Sequence, residues 1–203
     1  MLGKDEMWYL ENADKIPAFF KYVKLVETDL LPRNIGRIVG GAVREAIDGV
    51  ESDDPLSIDT DGPTHYWWFL PEGFNPDTDI GSWIEYWAPE DSVGWMTSGE
   101  GERPRCGIYT YGGKGPKGVA KTRKLGELAS KSLQLPKGAK RQNKFVDDGY
   151  YMVAERYFDD VLTREACGDT KLLTRGLVEL FRAVTIAFLP GLKAVRSNIG
   201  SRA

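Results

Sequence analysis

The sequence predicts an α+β protein: a short antiparallel β-sheet flanked by an N-terminal helix pair and a C-terminal helix pair. Three observations predict it. Apolar residues recur at helical spacing near both ends of the chain. Between them the pattern shifts to short aromatic and β-branched runs bounded by Gly, Pro, Asp or Ser. The loops joining those runs suit an antiparallel meander.

In the N-terminal pair, Asp14 is placed to cap a helix whose first turn tolerates Pro17. Ile16, Phe19, Phe20, Val23, Val26 and Leu30 then form an apolar stripe, and Pro32 ends that helix and opens the next. Ile35, Ile38, Val39, Ala42, Val43, Ala46, Ile47 and Val50 give the second stripe, with Gly36 and Gly40 four residues apart on it. Asp48-Gly49 is a stop signal, so residues 14–50 read as a helical hairpin.

Glu51 to Pro63 reads as an acidic loop. His65–Leu70, Ile80–Trp87, Val93–Thr97 and Cys106–Tyr111 read as strands. Residues 112–118, GGKGPKG, are a glycine-rich basic loop, and a short helix over Ala120–Leu133 turns Leu125, Leu128 and Ala129 inward. Lys121, Arg123, Lys124 and Lys131 then face solvent. Residues 134–145 read as an exposed linker.

In the C-terminal pair, Tyr150, Val153, Ala154, Tyr157, Phe158, Val161 and Leu162 form one helical face. Asp169 caps a second helix carrying Leu173, Leu177, Leu180, Val184 and Phe188, which Pro190-Gly191 is expected to end. Three segments result: 1–113, helical hairpin plus sheet; 114–145, a basic glycine-rich exposed excursion; and 146–203, the helical pair. One compact domain is the first expectation, and two domains split near residue 145 the alternative.

Charge carries the main functional signal. The net charge of −3 hides 7 Lys+Arg against 21 Asp+Glu in residues 1–102, and 20 against 9 in residues 103–203. Residues 114–144 hold 10 cations and one acid, Glu127. Such asymmetry speaks of partners or self-association. Lys114, Lys117, Lys121, Arg123, Lys124, Lys137, Lys140 and Arg141 are therefore the candidate contacts to nucleic acid or a nucleoprotein, through phosphates. The segment between Gly112 and Lys144 has no Phe, Tyr or Trp, which argues against base stacking. The competing reading is a solvated loop, or one paired with acids of this or another subunit, giving a charge-driven homo-oligomer.

Five of the six tryptophans fall between residues 67 and 95. On a strand from Ile80, Trp83, Glu85 and Trp87 share one face and Ile84 and Tyr86 the other, so both faces are apolar. A two-sided core is the plainer reading. The sharper one is a protein-recognition surface at Trp83, Glu85 and Trp87, serving a protein-directed inhibitor of the immunity or anti-defence kind, or an assembly factor.

Enzymatic signals are weak, and the expectation is a non-enzymatic protein with no cofactor and no metal. Gly115 to Thr122 has the spacing of a phosphate-binding loop, but Ala120 replaces the second glycine and Pro116 removes a donor. Asp59-Thr60-Asp61-Gly62 and Asp77-Thr78-Asp79 lack the rest of a calcium loop and read as turns. His65 is the single histidine and is read as a core or edge residue; Cys106 and Cys167 are read as buried free thiols. The N-terminus lacks a signal peptide's apolar core, and no run of 18 apolar residues exists, so no membrane span and a cytoplasmic location are expected.

Overall fold

The computed structural model describes residues 4–26, 30–48, 50, 56–60, 66–71, 79–88, 101–146, 149–163 and 165–200. Helices α1 (Lys4–Asn12), α2 (Ile16–Leu25) and α3 (Leu31–Asp48) come first, followed by strands β1 (Leu56–Thr60), β2 (Tyr66–Pro71), β3 (Gly81–Trp87) and β4 (Arg105–Tyr111). Helix α4 (Gly115–Ser132), strands β5 (Lys140–Phe145) and β6 (Tyr151–Tyr157), a 3₁₀ turn at Ala166–Gly168 and helix α5 (Thr170–Gly200) complete the chain.

The six strands form one sheet in the order β1-β2-β3-β4-β6-β5, with every neighbouring pair antiparallel. The α+β class therefore holds. The four-strand meander is laid down in sequence order, and β6 then pairs with β4 while β5 takes the outer edge.

Helices α3, α4 and α5 form the main core on one face of the sheet. On α3, Ile35, Val39, Ala42, Val43, Ala46 and Ile47 are buried, at the spacing an amphipathic helix requires. That stripe packs on α5, whose Leu173, Leu177, Phe181, Val184 and Phe188 are buried in turn. From β3, Ile84 and Tyr86 enter the same core; from β4, Cys106 and Ile108; from β6, Tyr151, Val153 and Ala154. The Tyr86 hydroxyl meets the Thr185 hydroxyl of α5, which itself donates to the Phe181 carbonyl at 2.7 Å. A polar contact thus fixes β3 against α5 inside an otherwise apolar layer.

The structure corrects four expectations. Residues 150–158 do not form a helix: Tyr151–Tyr157 is β6, paired on both sides between β4 and edge strand β5, so the C-terminal pair reduces to the single helix α5. The cause is burial on both faces, since Tyr151 through Glu155 are all buried and the strand loses the alternation that would mark it. Residues 140–145, expected as linker, form edge strand β5, and residues 56–60, expected within the acidic loop, form β1. Helix α5 runs through Pro190 to Gly200 instead of stopping. Gly191 lets the helix lie close to α4: a Cβ there would come within 3.1 Å of the Ala129 carbonyl oxygen. The neighbouring Ala187 carbonyl accepts a bond from the Gln134 N–H at 2.9 Å.

The N-terminal helices form where expected, with α1 in addition, but the first stripe is not in the core. No residue of α2 is buried, and Phe19 and Phe20 are 63% and 65% exposed. The Val93–Thr97 strand and His65 lie outside the described residues.

Candidate nucleic-acid interface

The basic segment is ordered by glycines. After β4 the chain passes Gly112 and Gly113 and enters α4 at Gly115, with φ of 102° at Gly113 and 73° at Gly115, values that favour glycine. Gly112 and Gly118 permit backbone to lie on backbone: a Cβ at Gly118 would fall 1.9 Å from the Gly113 carbonyl oxygen, and one at Gly112 would fall 2.4 Å from the Thr122 nitrogen. Thr122 locks this contact. Its buried hydroxyl accepts from the Gly112 N–H at 2.7 Å and donates to the Gly118 carbonyl at 2.9 Å. Its carbonyl accepts from the Thr110 hydroxyl at 3.2 Å.

This anchoring decides which way α4 faces. Gly118, Thr122, Leu125, Gly126, Ala129 and Ser130 are turned inward. Lys117, Lys121, Lys124 and Lys131 therefore share the opposite side at offsets of 4, 7 and 14 residues, and all four are exposed. The stripe runs for about 21 Å at ~1.5 Å per residue. Lys114 stands exposed just ahead of the helix, where the helix dipole adds positive potential.

Strand β5 extends the surface. Lys140, Arg141, Asn143 and Lys144 are exposed on the outer strand of the sheet. Two side chains join β5 to α4: Arg141 donates to the Ser130 carbonyl at 3.1 Å, and the Arg123 guanidinium lies 5.5 Å from the centre of the Phe145 ring. Lys137 is exposed between the two elements, and its carbonyl accepts from Arg156 at 2.9 Å. Among the described residues the ion pairs are Arg103–Asp159 and Arg156–Asp160, neither of which uses a cation of 114–144.

The eight cations anticipated from sequence thus fall into two groups. Lys114, Lys117, Lys121, Lys124, Lys137 and Lys140 project into solvent, whereas Arg123 and Arg141 spend at least part of their guanidinium on holding α4 to β5. Lys131 and Lys144 complete the exposed set. Helical spacing from Lys124 marks Lys131, but nothing local marks Lys144 until β5 is paired with β6.

The expected neutralising acids are not beside this surface where they are described. Asp59 lies on β1, at the opposite edge of the sheet. Five strand spacings of ~4.8 Å separate the edges by about 24 Å, roughly three Debye lengths at ~8 Å in physiological salt. Asp53, Asp54 and Asp61 lie outside the described residues.

The other anticipated features resolve differently. Trp83 and Trp87 are 1% and 8% exposed, so the strand does not offer them as a recognition surface; they belong to a two-sided core. Trp83 packs with Tyr109, Tyr111 and Met152 on the sheet face away from α3, α4 and α5, stacking on Tyr109 at 5.8 Å. Glu85 shares that face. Burial pushes its carboxyl up to about 7, against the opposing pull of the Arg105 guanidinium. Arg105 lies 4.0 Å over the Trp87 ring, and burial also pushes up the Tyr109 hydroxyl. Across Gly107 from Glu85 in the register stands Glu155, which accepts from Gln142 on β5. A Cβ at Gly107 would come within 2.9 Å of the Tyr109 ring, so the position is filled and forms no pocket.

The spacing of a phosphate-binding loop does not produce one. Residues 115–122 are helical, and the Thr122 hydroxyl is committed to Gly112 and Gly118. An open groove of about 570 Å³ lies elsewhere, between the end of α3 and the start of α5, with Glu45, Glu179, Lys171, Arg175 and Arg182 giving it mixed charge. Among the described residues no group of three or more His, Cys, Asp or Glu is placed to hold a metal. Cys106 is buried and Cys167 half-buried, both free, with burial raising each thiol above its ordinary range. Among the described residues no helix is long and apolar enough to cross a membrane.

No family model matches the chain, and no match was found among curated proteins or solved structures. Function is therefore read from the geometry of the basic surface.

Proposed function

We propose that the protein is a non-enzymatic binding protein that engages nucleic acid, or a nucleoprotein, through the basic surface of α4 and β5. The observation that carries this reading is the alignment of Lys117, Lys121, Lys124 and Lys131 on the exposed side of an anchored helix, beside the basic edge strand. Lysines in such an array act as point charges toward phosphates and release condensed counterions on binding. A stripe of about 21 Å matches roughly six base-pair steps of ~3.4 Å along one strand. No aromatic side chain lies between Gly112 and Lys144, so the chemistry suits backbone contact with duplex or structured RNA better than reading of unpaired bases. The free thiols of Cys106 and Cys167 fit a reducing, cytoplasmic setting for this activity.

A salt titration tests the reading. Binding of a duplex, followed by fluorescence anisotropy, is expected to weaken linearly with the logarithm of salt concentration. Changing Lys117, Lys121 and Lys124 together to Gln should lower that slope by about 2.7, at ~0.9 for each phosphate no longer neutralised. Binding that ignores salt, or a triple variant that binds as the parent does, would overturn the reading.

A further inference from the structure

Strand β5 carries a bulge in the middle of the basic surface. Arg141 pairs with Ala154 and Lys144 with Met152, so Gln142 and Asn143 together stand opposite the single residue Val153. The β4–β6 ladder slips at the same row, where the adjacent residues Ile108 and Tyr109 pair with Ala154 and Met152. The row therefore lengthens from strand to strand toward the β5 edge, which bends the outer strand. The two amide residues of the bulge are used differently. Gln142 turns to the buried Glu155 and donates to its carboxylate. Asn143 is exposed, with Lys140, Arg141 and Lys144 exposed on either side of it.

Among the described residues Asn143 is also the only non-glycine at positive φ, 47°. Asparagine is tolerated there chiefly when its short side chain hydrogen-bonds locally. That of Asn143 has no hydrogen bond among the described residues. Glycine would hold this backbone with less strain, so what the position keeps is the side-chain amide. It is the one neutral side chain among the exposed residues of β5. Its neighbours offer only donors, which suit phosphates, whereas an amide offers a donor and an acceptor together.

We infer that Asn143 is the base-reading residue of this surface, hydrogen-bonding the major-groove edge of an adenine in duplex DNA while Lys140 and Lys144 hold phosphates. An asparagine amide matches adenine N6 and N7 through both its atoms. The major groove of DNA admits strands, whereas that of an A-form RNA helix is too narrow for side chains to read. This role rests on the reading of α4 and β5 as a nucleic-acid surface, and it names the residue that makes that surface selective.

The test is selection of DNA duplexes from a randomised pool by the full chain, followed by anisotropy on individual duplexes. The selected duplexes should share an A·T pair at one position, and exchanging that pair for G·C should weaken binding about tenfold. Asn143→Gly keeps the backbone conformation and removes the amide. It should unfold at the parent's urea midpoint or above it and keep the parent's salt slope, while binding the two duplexes within about twofold of each other. RNA duplexes of the same sequences should be bound without that discrimination. A selected pool without a base preference, a preference that survives in Asn143→Gly, or equal discrimination among RNA duplexes would overturn the role given to Asn143 while leaving salt-dependent binding in place. A parent that binds no duplex at low salt would instead overturn the nucleic-acid reading, and this role with it.

Discussion

Replacing Thr122 by valine removes one hydroxyl and breaks the contact that orients the lysine stripe. The hydroxyl is fully buried, with hydrogen bonds of 2.7 Å from the Gly112 N–H and 2.9 Å to the Gly118 carbonyl. Valine keeps the branched shape but leaves a buried amide without that partner, at a cost of about 1–3 kcal/mol. With a midpoint of ~2 kcal/mol, a chain of this length should lose about 4–8 °C in melting temperature, at ~2–4 °C per kcal/mol. Thr122→Ser keeps the hydroxyl and should recover most of the loss. Urea unfolding followed by circular dichroism supplies the matching free-energy difference. An alternative role for the same residue gives different results. A threonine serving as a magnesium ligand beside a nucleotide would be little missed in the empty protein, and ATP with magnesium would raise the parent's melting temperature. If Thr122→Val melts with the parent, or if ATP with magnesium stabilises the parent, the structural role assigned to Thr122 is wrong.

Three further substitutions probe other parts of the fold. Burial holds Glu85 at about 7 instead of 4.5, so between those values the folded protein binds more protons than the unfolded chain and stability falls as pH rises. Urea midpoints measured from pH 5 to 7 should show that decline in the parent and a flatter profile in Glu85→Gln. Gly126→Ala places a Cβ 2.2 Å from the Tyr151 ring and should cost about 1–3 kcal/mol by overpacking, measured by chemical denaturation. Gly41→Ala, on the exposed side of α3 with nothing within 4 Å of the added carbon, should have the opposite sign and stabilise by about 0.5–1 kcal/mol.

The parts of this fold that are legible in the sequence are those where one face is buried and the other wet. Helix α3 shows this in the burial of Val39, Ala42, Val43 and Ala46, and α4 in the inward turn of Leu125 and Ala129. Strand β6 escapes for the complementary reason. With both faces covered, Tyr151-Met-Val-Ala-Glu155 has no alternation to detect, and its apolar residues fall by chance at helical offsets as well. Helix α2 shows a different limit: its periodicity correctly gives the helix but does not make its apolar stripe part of the core, since no residue of α2 is buried. The basic site follows the same logic. Charge density locates it, but the tying roles of Arg123 and Arg141 depend on β5 pairing with β6, a contact that no local pattern announces. Likewise, alternation puts Trp83 and Glu85 on the correct face of their strand, while the burial that removes Trp83 from any recognition surface is a property of the assembled sheet.

The meander gives the charge split its spatial meaning. Because β1 to β4 are laid down in order and β5 takes the far edge, position along the chain becomes position across the sheet. The half with 21 acids supplies the β1 edge, and the half with 20 cations supplies the β5 edge. Charged edge strands also resist edge-to-edge aggregation, and for β5 that role alone would explain Lys140 and Lys144. It does not explain the stripe on α4, which lies on a helix and guards no edge. A polyanion approaching a protein of net charge −3 would be drawn toward the exposed lysines of α4 and β5, so the field would favour one orientation before contact. The distinction is measurable: edge protection predicts aggregation when Lys140 and Lys144 are neutralised, whereas steering predicts a slower association rate when the α4 lysines are neutralised, with solubility unchanged.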